Sequence, residues 1–348
     1  MDYFAGLDVS VRSTSICIMG EAGTVIREGK VDTDPQTIGA FLARPGCKYV
    51  RVGVEAGPLC QWLYAGLTKG GFPMICIETR YAQAVLSAQS NKTDRNDARG
   101  IAQMMRVGLY RPVHVKTLSS QKIRALLGGR RFLQAKLLDI ENSIRGLLRN
   151  FGLKVGAVTR PHYERRVREL IDGQPALAAV IEPMLAVRQA IREQYALLHK
   201  KMLEVARADE VCQLLMTAPG VGPVVALTYR AAVDEPARFR RSRSVGAHFG
   251  LAPRTHQSGE VDRRGRITKN GDETLRTALF EAAGVLMRPT TKPSSLKAWG
   301  LRVAKRRGMA KAMIAVARRL AVILHRMWTD RVEFRWTAEP DAPRPTAA

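Results

Sequence analysis

The chain is expected to fold as an α/β domain followed by helices: a mixed sheet with helices on its faces, a central helical arm, and a C-terminal, mainly helical domain. Three observations carry this expectation. Five short runs rich in β-branched and apolar residues lie between Tyr3 and Glu78. A leucine-rich stretch near heptad spacing follows, and beyond residue 210 further helical-period runs alternate with glycine- and proline-bearing turns.

The strands are read at Tyr3 to Val9, Ser13 to Met19, Thr24 to Val31, Tyr49 to Glu55 and Pro73 to Glu78. Helices are expected near Pro35 to Ala43, Leu59 to Gly70, Ala82 to Ser90 and Asp94 to Val107. Three consecutive strands followed by alternating helix and strand is the order of a ribonuclease H-like fold. From Leu118 to Phe151 one long helix is expected, with Leu126, Leu133, Leu137, Ile140, Ile144 and Leu147 near heptad positions. A second run, Leu177 to Val205, is read as folding back on it, with Gly152, Pro161, Gly173 and Pro175 in the turn region between them.

The C-terminal part reads as helices around Val211 to Met216, Val224 to Ala232, Ser244 to Phe249, Asp272 to Met287, Ser294 to Arg306 and Met309 to Trp328. An irregular basic loop is expected from Ala252 to Asn270. The domains are therefore set at 1–116, 117–209 and 210–335, with a disordered Pro- and Ala-rich tail at 336–348.

At 348 residues and 46% hydrophobic content, the chain has material for more than one core. Lys and Arg number 56 against 31 Asp and Glu, a formal net charge of +25. The excess rises along the chain, from +4 over 1–116 to +8 over 117–209 and +13 over 210–348, so the C-terminal part dominates the electrostatic footprint. Such a charge draws polyanions through counterion release, and nucleic acid is the leading partner. No apolar run approaches a membrane span and no signal-peptide pattern opens the chain, so a cytoplasmic, nucleoid-associated protein is expected. Cys17, Cys47, Cys60, Cys76 and Cys212 form no CxxC pair and do not group with histidines, which argues against a zinc site or a disulfide framework.

Four acids carry the chemistry. Asp8 ends the first strand in G-L-D-V-S, Glu55 ends a later one in V-G-V-E-A-G, and Asp94 and Asp97 stand one helical turn apart in K-T-D-R-N-D-A-R. Phosphodiester chemistry with two hard cations needs several carboxylates converging from different segments. Each acid also has a plain structural reading: a helix cap for Asp94, a dipole partner for Asp97, a turn for Asp8, an ion pair for Glu55. Four in strand, strand, helix order point to a magnesium site that cuts nucleic acid.

A second constellation lies in L-A-P-R-T-H-Q-S-G-E-V-D-R-R-G-R-I-T-K-N-G-D. Ser258 precedes Gly259, which frees the backbone to bring a hydroxyl close to a phosphate. Arg254, Arg263, Arg264, Arg266 and Lys269 surround it in sequence and can clamp phosphate oxygens. Read from the residues alone, this is a basic phosphate-contacting loop with a serine in it; His256, two residues away, is as readily a DNA contact as a general base. Gly220 and Gly222 in P-G-V-G-P suit a helix-hairpin-helix turn whose backbone N–H groups approach a phosphate, or an ordinary tight connection. Arg238, Arg240, Arg241 and Arg243 read as backbone contacts or as solvated charge. Aromatic residues are 6% of the chain, which argues against single-strand binding mainly by base stacking.

Taken in order, G-L-D-V-S, V-E-A-G, N-K-T-D-R-N-D-A-R, P-G-V-G-P, F-G-L-A-P-R and Q-S-G resemble insertion-sequence transposases of the DEDD type, bridge-RNA-guided recombinases with a RuvC-like N-terminal domain and a serine-bearing C-terminal domain. The resemblance runs from about Tyr3 to Trp328. It implies that Asp8, Glu55, Asp94 and Asp97 bind Mg2+, and that Ser258 is a catalytic nucleophile forming a covalent link to DNA. It also implies double-stranded DNA at element ends and target, a guide RNA, and a homo-oligomer, dimer or tetramer. The family often carries a hydroxyl residue shortly after the Glu55 position, where this chain has Ala56-Gly57-Pro58. Two rival readings are a Holliday-junction-type nuclease hydrolysing with the four acids alone, and a non-catalytic DNA- or RNA-binding protein.

Overall fold

The computed structural model describes residues 2–43, 46, 48–87, 91–258 and 261–337, with the backbone alone for residues 261, 262 and 264. The expectations for Cys47, Ser90, Gly259, Glu260, the Arg264 side chain and the tail from 338 lie outside what it describes. The chain divides into two compact units, Met1–Lys116 and Thr117–Ala348. Among the described residues no helix is long and apolar enough to cross a membrane.

The first unit opens with a meander of β1 (Asp2–Val9), β2 (Ser13–Gly20) and β3 (Val25–Asp32). It continues through α1 (Pro35–Leu42), β4 (Lys48–Glu55), α2 (Cys60–Lys69), β5 (Met74–Ile77), α3 (Thr79–Leu86) and α4 (Asp94–Val107). The sheet order is β3-β2-β1-β4-β5; β1, β2 and β3 are antiparallel neighbours, and β4 lies parallel to β1 and to β5. This is the mixed five-stranded, ribonuclease H-like sheet that the strand order predicts. α3 begins at Thr79, three residues before the expected start.

The strand period of two sorts the sheet into two faces. Ala5, Leu7, Ile16, Ile18, Val52 and Val54 pack with Ile38 and Leu42 of α1 and Leu63 and Leu67 of α2. The opposite face carries Phe4, Cys17 and Met19, covered by Ala98, Ile101, Ala102, Met104 and Met105 of α4. α4 has defined ends: the Thr93 hydroxyl accepts from the Asn96 N–H, and Gly108 at φ 72° closes its C-terminus.

The second unit begins with α5 (Leu118–Arg149), which packs along α7 (Pro175–Ala208) to form the arm. Between them the expected turn region contains a helix, α6 (Tyr163–Ile171), preceded by a 3-10 turn at Arg160–His162. The segment is short and charge-rich, and its helical apolar signal is Tyr163, Val167 and Ile171 at four-residue spacing; these three bury against Ile144, Leu148, Ile181 and Leu185.

Arg188 is wholly buried at this tip. It donates to Glu141 at 2.8 Å and Glu164 at 2.5 Å, and its guanidinium lies 4.5 Å from the Tyr163 ring centroid. Removing one partner of such a group leaves the others uncompensated in a low-dielectric site, which costs about 3–5 kcal/mol. Arg188→Ala is therefore expected to lower the thermal midpoint and open the tip between residues 150 and 175 to limited proteolysis. Replacing all three charges together, as Glu141→Gln, Glu164→Gln and Arg188→Met, is expected to recover most of the loss.

Beyond the arm come α8 (Glu210–Met216), α9 (Pro223–Val233), α10 (Arg243–His248), β6 (Pro253–Ser258), β7 (Val261–Ile267), α11 (Glu273–Leu286), α12 (Ser295–Arg307) and α13 (Met309–Asp330). The root of the arm is built into this helical core: Leu127, Met202 and Ala206 bury with Leu215, Tyr229, Leu279 and Leu320. Thr117, which caps α5, donates through its N–H and its hydroxyl to the buried Asp234.

The expectation of an irregular basic loop from 252 to 270 is corrected. That segment is an antiparallel hairpin, β6 with β7. All of β6 is exposed, so neither face carries the apolar alternation by which a strand is recognised.

Candidate active site

Asp8 and Glu55 sit at the carboxyl ends of neighbouring parallel strands, whose pairing runs to Leu7 opposite Val54. Both acids belong to the sheet face covered by α4, and each follows a glycine by two residues: Gly6-Leu7-Asp8 and Gly53-Val54-Glu55. These glycines are what let α4 settle on the sheet. A Cβ at Gly6 would overlap the backbone of Ala98 and Ala102, and one at Gly53 would lie 2.9 Å from Ile101 and 2.7 Å from Met105. Asp97 immediately precedes Ala98 on that helix, so the close approach carries the start of α4 to the strand ends.

The charges register this convergence. Burial pushes the Asp8 carboxyl up to about 6, and the negative charges of Asp94, Asp97 and Glu55 push it the same way, against an opposing pull from Lys92. Glu55 is likewise raised, first by burial, with the Asp97 charge adding to it; a hydrogen bond from Thr79 and the charge of Lys92 act downward. Asp94 is held low by Lys30, whose ammonium donates to it at 2.9 Å; both side chains are largely exposed. Among the described residues, no three His, Cys, Asp or Glu side chains stand as a preformed metal-ligand set.

An open cleft of about 560 Å³ adjoins the start of α4, lined by Ser15, Glu28, Lys30, Thr93, Asp94 and Arg95 among others. Glu28, Arg95 and Arg99 form an ion-paired cluster there that holds the Glu28 carboxyl down to about 2. Lys30, Lys92, Gly6 and Gly53 are not singled out by the sequence reading. The two glycines have a visible signal in the repeated Gly-x-acid at strand ends, whereas Lys30 carries none, because it lies 64 residues from its partner.

Gly6 yields a direct test of this packing. Gly6→Val is expected to destabilise the first unit by about 1–3 kcal/mol, the usual range for overpacking, because the backbone of α4 must shift. Circular-dichroism melting checks the stability.

In the second unit, Arg254, His256 and Ser258 alternate onto one face of β6, and the register pairs His256 with Arg263. Cross-strand partners share a face, so Arg263 joins that set, while Arg264 pairs with Thr255. Arg254, Ser258, Arg263, Arg266 and Lys269 are all exposed.

The remaining basic candidates divide. Arg240, Arg241 and Arg243 are exposed. Arg238 is engaged within the protein: it donates to the Val233 carbonyl at 3.0 Å and lies 4.3 Å from the Phe239 ring centroid, and burial lowers its pKa. Gly220 takes φ 82°, and a Cβ there would overlap the Ala282 carbonyl on α11, so packing alone accounts for glycine at that position. Gly222 faces open space at the N-cap of α9.

The chain is similar to known proteins. Residues 5–152 match a family model described as Transposase (DEDD_Tnp_IS110), and residues 212–298 match one described as Transposase IS116/IS110/IS902 family. The chain is 30% identical over 336 residues to the transposase for insertion sequence element IS1111A of Coxiella burnetii, covering 95% of this chain and 90% of that one. It is 27% identical over 242 residues to a probable family 20 transposase of Pseudomonas aeruginosa, covering 68% of this chain and 72% of that one. The solved T. thermophilus RuvC in complex with a Holliday junction substrate aligns at 14% identity and a TM-score of 0.26, over 32% of this chain and all of that one.

The protein is thus a DNA-cleaving and DNA-joining enzyme with a DEDD nuclease domain. It belongs to the IS110/IS1111 family of insertion-sequence transposases.

Proposed function

We propose that this transposase cuts and rejoins DNA through a serine nucleophile, with Asp8, Glu55, Asp94 and Asp97 as ligands for Mg2+ and an element-encoded RNA directing the choice of site. The observation that carries the metal assignment is the placement of Asp8 and Glu55 at the ends of neighbouring parallel strands on the face that α4 covers, with Asp94 and Asp97 on the first turn of that helix. Oxygen donors from separate segments, with their mutual repulsion only partly offset by Lys30 and Lys92, are the donor chemistry of a hard divalent cation. Asp94 is tied to Lys30, so joining the ligand set requires exchanging that ion pair, which is exposed and weak. Bound there, Mg2+ would polarise a phosphate oxygen and offset developing negative charge.

Ser258 is assigned as nucleophile. Its Oγ forms a bond to phosphorus as a sugar oxygen leaves; the hydroxyl proton is given up, and the departing oxygen is protonated. The phosphoserine ester retains the energy of the broken bond, so attack by a second DNA hydroxyl reverses the step and rejoins strands. Arg254 and Arg263, on the face of the hairpin that carries Ser258, are the residues to clamp the phosphate oxygens.

Guide RNA and oligomerisation belong to the same reading. The net charge of +25 suits a protein that holds duplex backbone while base pairing selects sequence. Exposed Phe132, Leu138, Val180, Val187 and Leu197 on the arm helices support self-association. The deciding experiment purifies the protein expressed with the DNA flanking its gene, sequences any RNA retained, and supplies element-end and target duplexes. Strand exchange that requires both Mg2+ and that RNA is expected; exchange undiminished after ribonuclease treatment sinks the guide assignment. Metal-dependent nicking with no rejoining would favour the hydrolytic nuclease.

A further inference from the structure

Two buried thiols meet in the core of the first unit. Cys60 opens α2 and Cys76 lies on β5, and their sulfurs are 3.0 Å apart. That separation is below van der Waals contact for two sulfur atoms, so forming a bond requires only a small further approach. The two residues are 3% and 4% exposed and pack in one cluster with Val52, Val54 and Leu63. The other described cysteines differ. Cys17 lies beside Glu28, on the opposite face of the sheet, with its thiol pushed up to about 12. Cys212 lies in the core of the second unit, its thiol also raised by burial.

We propose that Cys60 and Cys76 form a redox-active dithiol that closes to a disulfide in the folded protein when a hydroperoxide is present. Access comes through the first turn of α2. That helix lacks a side-chain cap at Leu59, and Gly57 and Pro58 just before it are exposed, so the turn holding Cys60 is the part of the element with least to keep it closed. Cys60 is also the better nucleophile of the two, since the hydrogen bond it shares with Cys76 lowers the Cys60 pKa and raises that of Cys76.

With hydrogen peroxide as the hydroperoxide and sole oxidant, the chemistry balances. The Cys60 thiolate attacks the peroxide oxygen, giving a sulfenic acid and releasing hydroxide, which takes a proton and leaves as water. The Cys76 sulfur then displaces the sulfenic hydroxyl, which leaves as a second water, and the S–S bond forms. Two thiols are oxidised by two electrons and one peroxide is reduced. The product ties the first turn of α2 to β5, so the loop that runs from Glu55 into that helix becomes anchored at both ends. A cross-link closing a loop of this length restricts the unfolded chain, so the oxidised first unit melts at a higher temperature than the reduced one.

The test uses the full-length protein, treated with hydrogen peroxide, trapped with N-ethylmaleimide under native conditions, and digested without reductant. A Cys60–Cys76 cross-linked peptide is expected as the main oxidised species, lost on adding dithiothreitol, with the raised thermal midpoint lost alongside it. Cys60→Ser and Cys76→Ser are each expected to abolish both the cross-link and the shift. Recovery of Cys60 and Cys76 as free thiols after treatment, or of Cys60 as sulfinic acid with Cys76 untouched, overturns the proposal. The wild-type peptide map alone decides the matter if either variant fails to fold.

Discussion

Asp8→Asn is expected to abolish DNA cleavage while making the protein more stable. Loss of a ligand from a centre that stabilises transition-state charge typically costs at least about a thousandfold in rate, equivalent to roughly 4 kcal/mol. The stability effect has the opposite sign, and its pH dependence follows from the raised carboxyl. In the unfolded chain Asp8 titrates near 3.8, and in the folded protein near 6. Below the lower value both states are protonated and the group is neutral in the balance. Between the two values the unfolded state ionises first, so stability falls as pH rises, and above about 6 the full penalty is present. Two pKa units correspond to about 3 kcal/mol, and water around a half-buried carboxyl reduces this to about 1–2 kcal/mol. Asn removes the charge and with it the penalty. Thermal melts of both proteins at pH 7.5 and pH 3.5 check this: the variant melts higher at the first pH, and the gap closes at the second. Added Mg2+ is expected to raise the wild-type midpoint and leave the variant unmoved, because a ligand stabilises only the state that binds it. Cleavage by Asp8→Asn at the wild-type rate would remove Asp8 from the active centre.

How the site was readable follows from where its constraints lie. The sheet and its acids announce themselves locally: apolar runs make β1 and β4, and Asp8 and Glu55 stand at their ends, the second before the strand-breaking Ala56-Gly57-Pro58. Thr93 and Gly108 mark both ends of α4, which fixes Asp94 and Asp97 on its first turn. What the residues did not disclose is long-range. Lys30 reaches Asp94 across 64 residues, and a lysine on an exposed strand face looks like any solvated charge. The serine hairpin is hidden in the sequence for a different reason. β6 buries nothing on either side, so hydrophobic period, the main signal for a strand, is absent from it, and the basic residues give the segment the look of a loop. Gly220 shows the converse limit. In a motif read either for phosphate contact or as a tight connection, the backbone of α11 accounts for the glycine at 220, while Gly222 faces open space.

Ser258→Ala carries the second large effect, and it separates a rejoining enzyme from a hydrolase. Wild-type protein incubated with element-end duplex and Mg2+, then denatured, is expected to leave a fraction covalently attached to DNA. In the variant that adduct is expected to vanish, because alanine has no oxygen to bond to phosphorus, and strand exchange should fall to background. DNA binding should be retained, since Ser258 is an exposed residue on a strand that buries nothing, and its removal opens no cavity. The arginines on its face of the hairpin sharpen the test. Arg263→Ala keeps the hydroxyl and removes one clamp, so adduct formation should slow by about 10²–10³ without being lost, the range for deleting one group that stabilises transition-state charge. If Ser258 were an incidental surface residue, both variants would behave alike, weakening binding slightly and leaving the adduct intact. An adduct that persists in Ser258→Ala would transfer the nucleophile to another residue, and nicking without any adduct in the wild type would leave the four acids to act by hydrolysis alone.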